Sequence, residues 1–229
     1  MVTAIMQPYI FPYIGYFQLI NAVDYFVFYD DVNYIKGGWI NRNYILLNGD
    51  KYLFTISLNH SSSNKLINDL IIIDSFAKFK KTLYQAYSKA PYFKPTIELV
   101  EGILDFDDRN LSSFISNSLI SLSTYLKINT NFIFSSSLTN DKSKKGQDKV
   151  LDICKILNTS TYINAIGGKM LYKKSDFLKN NIELKFISSQ NIVYKQFGSK
   201  FFPSLSIIDV LMFNSVDIVK NHLMKYELL

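Results

Sequence analysis

The stretch VTAIMQPYIFPYIGYFQLINAVDYFVFYDD, residues 2–31, decides how this chain folds. Val2 to Met6 is a short apolar run that breaks at Gln7-Pro8, the mark of a strand running into a loop. Beyond the loop, Phe17, Leu19 and Ile20 fall on one helical face between Gly15 and Ala22. Asp24 to Tyr29 reads as a second strand, aromatic and nearly all apolar, as strands covered on both faces are. Two strands joined by one short helix make a βαβ unit, expected to be parallel and right-handed.

The same alternation returns in the second half. Asn131 to Phe134 and Thr161 to Asn164 read as strands, with a helix between them carrying Val150, Leu151, Cys154 and Leu157 on one side. Ile182 to Phe186 is a further strand. Ser204 is the expected N-cap of a helix through Phe213, and a last helix is expected from Asp217 to Tyr226. Between the halves, Tyr44 to Leu47 and Tyr52 to Ser57 flank Asn48-Gly49, a strong hairpin signal. Leu70 to Ile73 reads as one more short strand. Residues 75–127 read as helical, broken at Ala90-Pro91 and near Asp105 to Asp108, with their aromatics in the core. The expectation is a single α/β domain over residues 1–229: a doubly wound, mostly parallel sheet with an inserted β-hairpin and a helical cap.

Composition narrows the function classes. Hydrophobic residues make up 48% of the 229, enough for a sizeable core, and no run is long and apolar enough to span a membrane. The start lacks the basic region and cleavage site of a secretion signal, and Cys154 is the only cysteine, so no intrachain disulfide forms. A cytoplasmic protein without membrane insertion is expected. The net charge of +6 favours anions such as nucleotides, sugar nucleotides or RNA. The densest basic cluster, Lys142, Lys144, Lys145 and Lys149, is either a solvated helix start or a phosphate-contacting patch. The two histidines, His60 and His222, stand apart, and no zinc-ligand spacing, Gly-x-Ser-x-Gly elbow, Walker loop or Gly-x-Gly-x-x-Gly fingerprint occurs.

In doubly wound folds ligands bind beyond the carboxyl ends of the strands. The loops to watch are therefore residues 7–13, 30–42, 135–139 and 165–172. In the first, Pro8 and Pro12 fix the backbone, Gly15 opens the helix start to an anion, and Gln7, Tyr13 and Tyr16 add neutral donors. Asp30-Asp31 ends the second strand; these acids either act as general base or Mg²⁺ ligand, or cap a turn. Lys36, Trp39, Asn41 and Arg42 follow, Arg42 suited to clamping phosphate and Trp39 to stacking on a base or sugar, or to core anchoring. Gly167-Gly168 lets backbone approach a phosphate, while Ser206 and Asp209 either point into the site or are buried. The tyrosine-rich turn and the twin acids are expected to converge on one pocket.

The stretch from Met6-Gln7-Pro8-Tyr9 through Ile14-Gly15-Tyr16-Phe17 to Ile20 resembles the opening signature of the WbqC-like family. The likeness continues through Val23-Asp24, Tyr29-Asp30-Asp31-Val32, Tyr34-Ile35-Lys36 and Gly38 to Asn43. It extends to Tyr87 to Pro91, Gly167-Gly168 with Leu171-Tyr172, and Phe202-Pro203 to Asp209. Where the family often carries a second basic residue, this chain has Gly37. The resemblance implies a place in bacterial surface polysaccharide (O-antigen) pathways. The expected task is transfer of an acyl or aminoacyl group, such as glycine, to the amine of a nucleotide-linked amino sugar. The donor is either an adenylate made with ATP and Mg²⁺ or a charged tRNA, and Asp30 or Asp31 would accept the amine proton. The strand, proline loop and glycine-led helix also resemble the nucleotidyltransferase-like (HUP) fold. Tyr13-Ile14-Gly15-Tyr16 stands there where that group has His-x-Gly-His. Nucleotidyl transfer and non-catalytic sugar-nucleotide binding are the alternatives.

Overall fold

A computed structural model describes all residues, Met1 to Leu229. Strands β1 (Val2–Met6), β2 (Tyr25–Phe28), β5 (Asn131–Phe134), β6 (Thr161–Ala165), β7 (Glu183–Ser189) and β8 (Tyr226–Leu228) form one sheet in the order β5-β2-β1-β6-β7-β8. All neighbours are parallel except β7 and β8. A separate antiparallel hairpin joins β3 (Arg42–Leu47) to β4 (Asp50–Thr55). Its turn has Asn48 at φ 53° and Gly49 at φ 78°, the left-handed pair such a two-residue turn requires.

Alternation along the central strands divides the core in two. Ala4 of β1 and Phe26 and Phe28 of β2 face the larger cluster, with helices α1 (Ile14–Asn21), α4 (Leu111–Tyr125), α7 (Ile207–Phe213) and α8 (Val216–Leu223). On that face the Phe28 and Phe132 rings stack at 5.3 Å across neighbouring strands. Ile5 and Val27 face the other cluster, with α5 (Gly146–Ile156) and α6 (Lys174–Leu178). Cys154 of α5 is sealed in this second layer, where burial pushes its thiol up to about 12. The sheet is thus covered on both sides, which explains why its strands read as unbroken apolar runs.

Helices α2 (Ala77–Tyr87) and α3 (Phe93–Leu104) fill the middle of the chain with α4, and the breaks between them fall where the sequence places them. A buried carboxylate ties this helical region to the end of the chain. Asp209 is fully buried and accepts hydrogen bonds from Tyr87 Oη (2.8 Å), Tyr194 Oη (2.6 Å) and Gln196 Nε2 (2.8 Å). Tyr87 Oη in turn accepts the Leu46 N–H of the hairpin at 2.9 Å. Burial raises the Asp209 pKa, opposed by its three donors.

Three sequence expectations are corrected. Residues 70–73 are extended, with Leu70 and Ile72 buried and Ile71 and Ile73 exposed, but they form only the isolated bridges Leu58–Ile72 and Ile71–Asn110. The N-cap of α7 is Ser206, whose Oγ accepts from Ile208 N at 3.2 Å; Ser204 instead lies at φ 58°. The last helix stops at Leu223, and Tyr226 begins β8. Buried Gln18 sets that stop, its Nε2 donating to the carbonyls of His222 and Lys225 at 2.8 and 2.9 Å.

Tyr87→Phe removes the hydroxyl shared by Leu46 N and Asp209. Each buried group left unpaired costs roughly 1–3 kcal/mol. We expect the unfolding free energy in urea to fall by that amount, with a lower midpoint and an unchanged slope; a midpoint at the parent value would show that the hydroxyl does not bolt the cap to the hairpin.

Candidate functional site

The sheet reverses its winding between β1 and β6. Chain leaves β1 through α1 toward β2, whereas α5 brings it back to β6 on the opposite face, and β7 follows on the far side. Such a reversal leaves a crevice outside the carboxyl ends of the two strands. A cavity of about 540 Å³ occupies it. Ile5 and Met6 close it from β1 and Gln7 from the loop after it, Asn164 and Ala165 from β6, Gly15, Tyr16 and Leu19 from α1, and Gly146, Gln147 and Val150 from α5. Gly167, Gly168, Leu171 and Tyr172 come from the 3₁₀ turn after β6, while Tyr9, Tyr13, Tyr29 and Ile35 complete the wall.

Five of these residues are tyrosines, and none carries a carboxylate, amine, guanidinium, imidazole or thiol. Burial raises the pKa of Tyr9, Tyr13, Tyr16, Tyr29 and Tyr172 above the ordinary phenol value. For Tyr29 the neighbouring Tyr172 and Asp31 add to the rise. All five are therefore neutral near pH 7 and offer hydroxyls and ring faces, not charge. Tyr16 spends its hydroxyl on Gln7 O at 2.7 Å, which locks the turn to the helix.

The charge-like features of the wall are backbone ones. Both α1 and α5 begin at the cavity, since Gly15, Gly146 and Gln147 line it, and neither has a side chain capping its first N–H groups. Two uncapped helix starts put free N–H donors and the positive ends of two helix dipoles at one opening. Gly15 also permits a close approach: a Cβ there would stand 2.3 Å from Tyr13 Cε2. Tyr13 separates this cavity from a second one of about 300 Å³, whose lining includes Ile14, Gln190, Tyr194 and Ser204. Gly168 gives room to Asn164, whose Nδ2 would be 2.8 Å from an added Cβ. Gly167 faces open space.

The remaining candidates sit elsewhere. Tyr29 lines the cavity, but Asp30 and Asp31 do not. Asp30 is 2% exposed and accepts hydrogen bonds from Ser112 Oγ, Ser135 Oγ, Ser136 N and Ser136 Oγ at 2.8 to 3.2 Å. It bolts the end of β2 to the turn after β5 and to α4. Asp31 pairs with Lys149 (2.9 Å) and Lys142 (3.0 Å) and accepts from Ser135 Oγ. Burial would raise its pKa, but those hydrogen bonds and the Lys149 charge outweigh burial and hold the carboxyl below the ordinary value. The Lys149 ammonium lies 5.2 Å from the centroid of the Tyr29 ring. The network thus braces the cavity wall from behind, and of the basic cluster Lys142, Lys144 and Lys149 are engaged in ion pairs.

Asn41 is buried between Tyr34 Oη (2.7 Å) and Ile56 O (2.8 Å), and Ser206 Oγ donates to Phe11 O at 2.7 Å, so both fasten loops. Asp209 serves the polar knot already described. Pro8 is buried and lines no cavity. Arg42 donates to the carbonyls of Gly38 and Gly37 and lies 5.7 Å from the Trp39 ring, which is 45% exposed and outside the cavity. Lys36 is exposed at the rim. Sequence reasoning missed Tyr29, Gln147 and Asn164, and it assigned no individual role to Tyr9 and Leu171 inside the loops at 7–13 and 165–172. Tyr29 and Asn164 were findable as the last residues of the strands read from the sequence at 24–29 and 161–164; Gln147 had no local signal. No group of three or more His, Cys, Asp or Glu side chains is placed to hold a metal ion.

The model of the WbqC-like protein family matches residues 7–221. The chain is also similar to the uncharacterized protein Rv1507c of Mycobacterium tuberculosis, 27% identical over 213 residues that cover 91% of each chain. No solved structure matches.

Two substitutions probe this geometry. Because the Asp31 pKa is lowered on folding, the unfolded chain binds that proton more readily. Its stabilising effect is complete above the ordinary carboxylate value of 3.8 and is lost as pH falls through the lowered one. Asp31→Asn should therefore be less stable at neutral pH but lose less on acidification; an acid limb identical to the parent's would remove Asp31 from the cause. Gly15→Ala should displace the Tyr13 ring and change the near-ultraviolet circular dichroism of the tyrosines, and an unchanged spectrum would mean that the ring is not seated on Gly15.

Proposed function

This chain belongs to the WbqC-like protein family, and from that premise we propose that its larger cavity binds a nucleotide-linked amino sugar and that the protein transfers an acyl or aminoacyl group to the sugar amine during surface polysaccharide (O-antigen) biosynthesis. The observation that supports this reading most is the pairing of two uncapped helix starts with an uncharged wall of phenols. Helix N-terminal N–H groups suit a diphosphate. Tyrosine faces suit a base or a sugar ring, and their hydroxyls suit sugar hydroxyls. A volume of about 540 Å³ lies within the usual range for small-ligand sites.

In the transfer, the amine lone pair attacks the donor carbonyl and a C–N bond forms. The C–O bond to the leaving group breaks with its electron pair, and the amine gives up one proton. Asp31 is held ionised by two lysines outside the wall, so the proton passes to the departing oxygen or to solvent. The tyrosine rings of the wall and the N–H groups at Gly15 and Gly146 hold the acceptor still, and that positioning is the protein's main contribution. Asp30 and Asp31 are also the carboxylates a Mg²⁺–ATP complex would need, and both are engaged by serines and lysines. This favours a donor that arrives already activated, a charged tRNA before an adenylate made in place. Nucleotidyl transfer is the poorer reading, since Tyr16 of the Tyr13-Ile14-Gly15-Tyr16 turn spends its hydroxyl on Gln7 O. The wall without a base also favours a second reading, a sugar-nucleotide binding protein that performs no chemistry.

Calorimetry with UDP-glucosamine and dTDP-linked amino sugars, followed by transfer of labelled glycine from charged tRNA or from glycine with ATP, separates these readings. We expect binding that falls at least tenfold in Gly146→Pro, which distorts the start of α5, and product with charged tRNA. Binding without product under either donor supports the second reading, and no binding of any nucleotide sugar sinks both.

A further inference from the structure

The mouth of the larger cavity carries side chains that its interior does not require. On one side Ile35 is 52% exposed and is followed by exposed Lys36. On the other, the turn after β6 presents Met170 at 94% and Leu171 at 71%, flanked by exposed Lys169, Lys173 and Lys174. Ile35 and Leu171 both line the cavity and are both exposed, so these two loops border its opening. Lys145, just before α5, adds a further exposed ammonium on the same rim.

None of Lys36, Lys145, Lys169, Lys173 and Lys174 takes part in an ion pair. The nearby acids are mostly engaged: Asp31 by Lys142 and Lys149, Asp176 by Gln147 and Lys179. Asp148 is the one exposed acid at the start of α5. The rim therefore combines bare apolar tips with unpaired positive charge. Single exposed apolar residues need no explanation, but adjacent ones at nearly full exposure beside a cavity do.

We propose that this rim docks on the surface of an anionic membrane, with Met170, Leu171 and Ile35 entering the boundary between headgroups and acyl chains and the lysines meeting lipid phosphates. Each half of that arrangement has its match: apolar tips gain by burial in the interface, and basic residues beside them gain from the negative surface potential. A nucleic acid would satisfy the lysines and leave Met170 and Leu171 in water. A second copy of the chain would bring the same positive rim against this one and be repelled. Docking by a few residues is reversible and weakens as salt rises. Bound in this way, the cavity opens at the level of the headgroups, a placement that does not depend on which molecule the cavity holds.

The test is co-sedimentation of the full chain with vesicles of equal parts phosphatidylethanolamine and phosphatidylglycerol, against vesicles of phosphatidylcholine alone. We expect pelleting with the anionic vesicles only, reduced several-fold by high salt. The double variant Met170→Glu/Leu171→Glu and the double variant Lys169→Glu/Lys173→Glu should each pellet several-fold less, with circular dichroism unchanged. Lys78→Glu/Lys81→Glu, on exposed positions of α2 away from the cavity wall, should pellet like the parent. Equal pelleting on both vesicle types, parent-like pelleting of Met170→Glu/Leu171→Glu, or an equal loss in Lys78→Glu/Lys81→Glu overturns the proposal. So does a vesicle-free dimer that dissociates in Met170→Glu/Leu171→Glu, which would make the rim a contact between copies.

Discussion

The reversal of winding between β1 and β6 is the constraint from which the rest of the molecule follows. Both strands are central and parallel, and each needs cover on both faces. Their helices lie on opposite faces, α1 with the larger core and α5 with the smaller. Nothing from either layer can then close the gap above the two carboxyl ends, and the loops that surround it are free to carry function. The cavity is a consequence of topology before it is a consequence of any particular side chain. Side chains decide its character, which is aromatic, hydroxylated and without formal charge.

Charge has been moved one layer out. Asp30 and Asp31 stand beside a wall tyrosine, yet their oxygens are directed to serines and lysines. Paired in that way, Asp31 and buried Lys149 cost less than either would alone, and leaving one of them unpaired would be the expensive state. Their effect on the cavity is mechanical: they hold Tyr29, the turn after β5 and the start of α5 in one arrangement. Asp209 plays a comparable part for the helical region, where three neutral donors surround one buried carboxylate. Polar knots of this kind give a loop-rich edge the rigidity that strands supply elsewhere.

Much of the sheet was legible because its strands bury both faces and so announce themselves as apolar runs bounded by Gln7-Pro8, Asp30 and Gly167. The hairpin was legible from Asn48-Gly49 alone. What periodicity could not supply was partnership. Residues 70–73 have the alternation of a strand but no adjacent ladder to join, and Tyr226 to Leu228 became a strand because Gln18, two hundred residues earlier in the chain, ends the helix before it. In the site, the first turn and Gly167-Gly168 stood out because prolines, glycines and tyrosines at strand ends have few structural uses. The acids misled for a physical reason. Two carboxylates in sequence look available, and only the fold reveals how many donors from residues 112, 135, 136, 142 and 149 converge on them.

The sealed state of Cys154 has a practical side. The chain holds one thiol, fully buried and with its pKa pushed up by that burial, so it is protonated near neutral pH. A cysteine introduced on the surface would be the sole thiol that a thiol-selective reagent could reach. Fluorescent or spin probes can therefore be attached at single chosen positions without first engineering the native residue away, which makes this fold a ready-made scaffold for distance measurements.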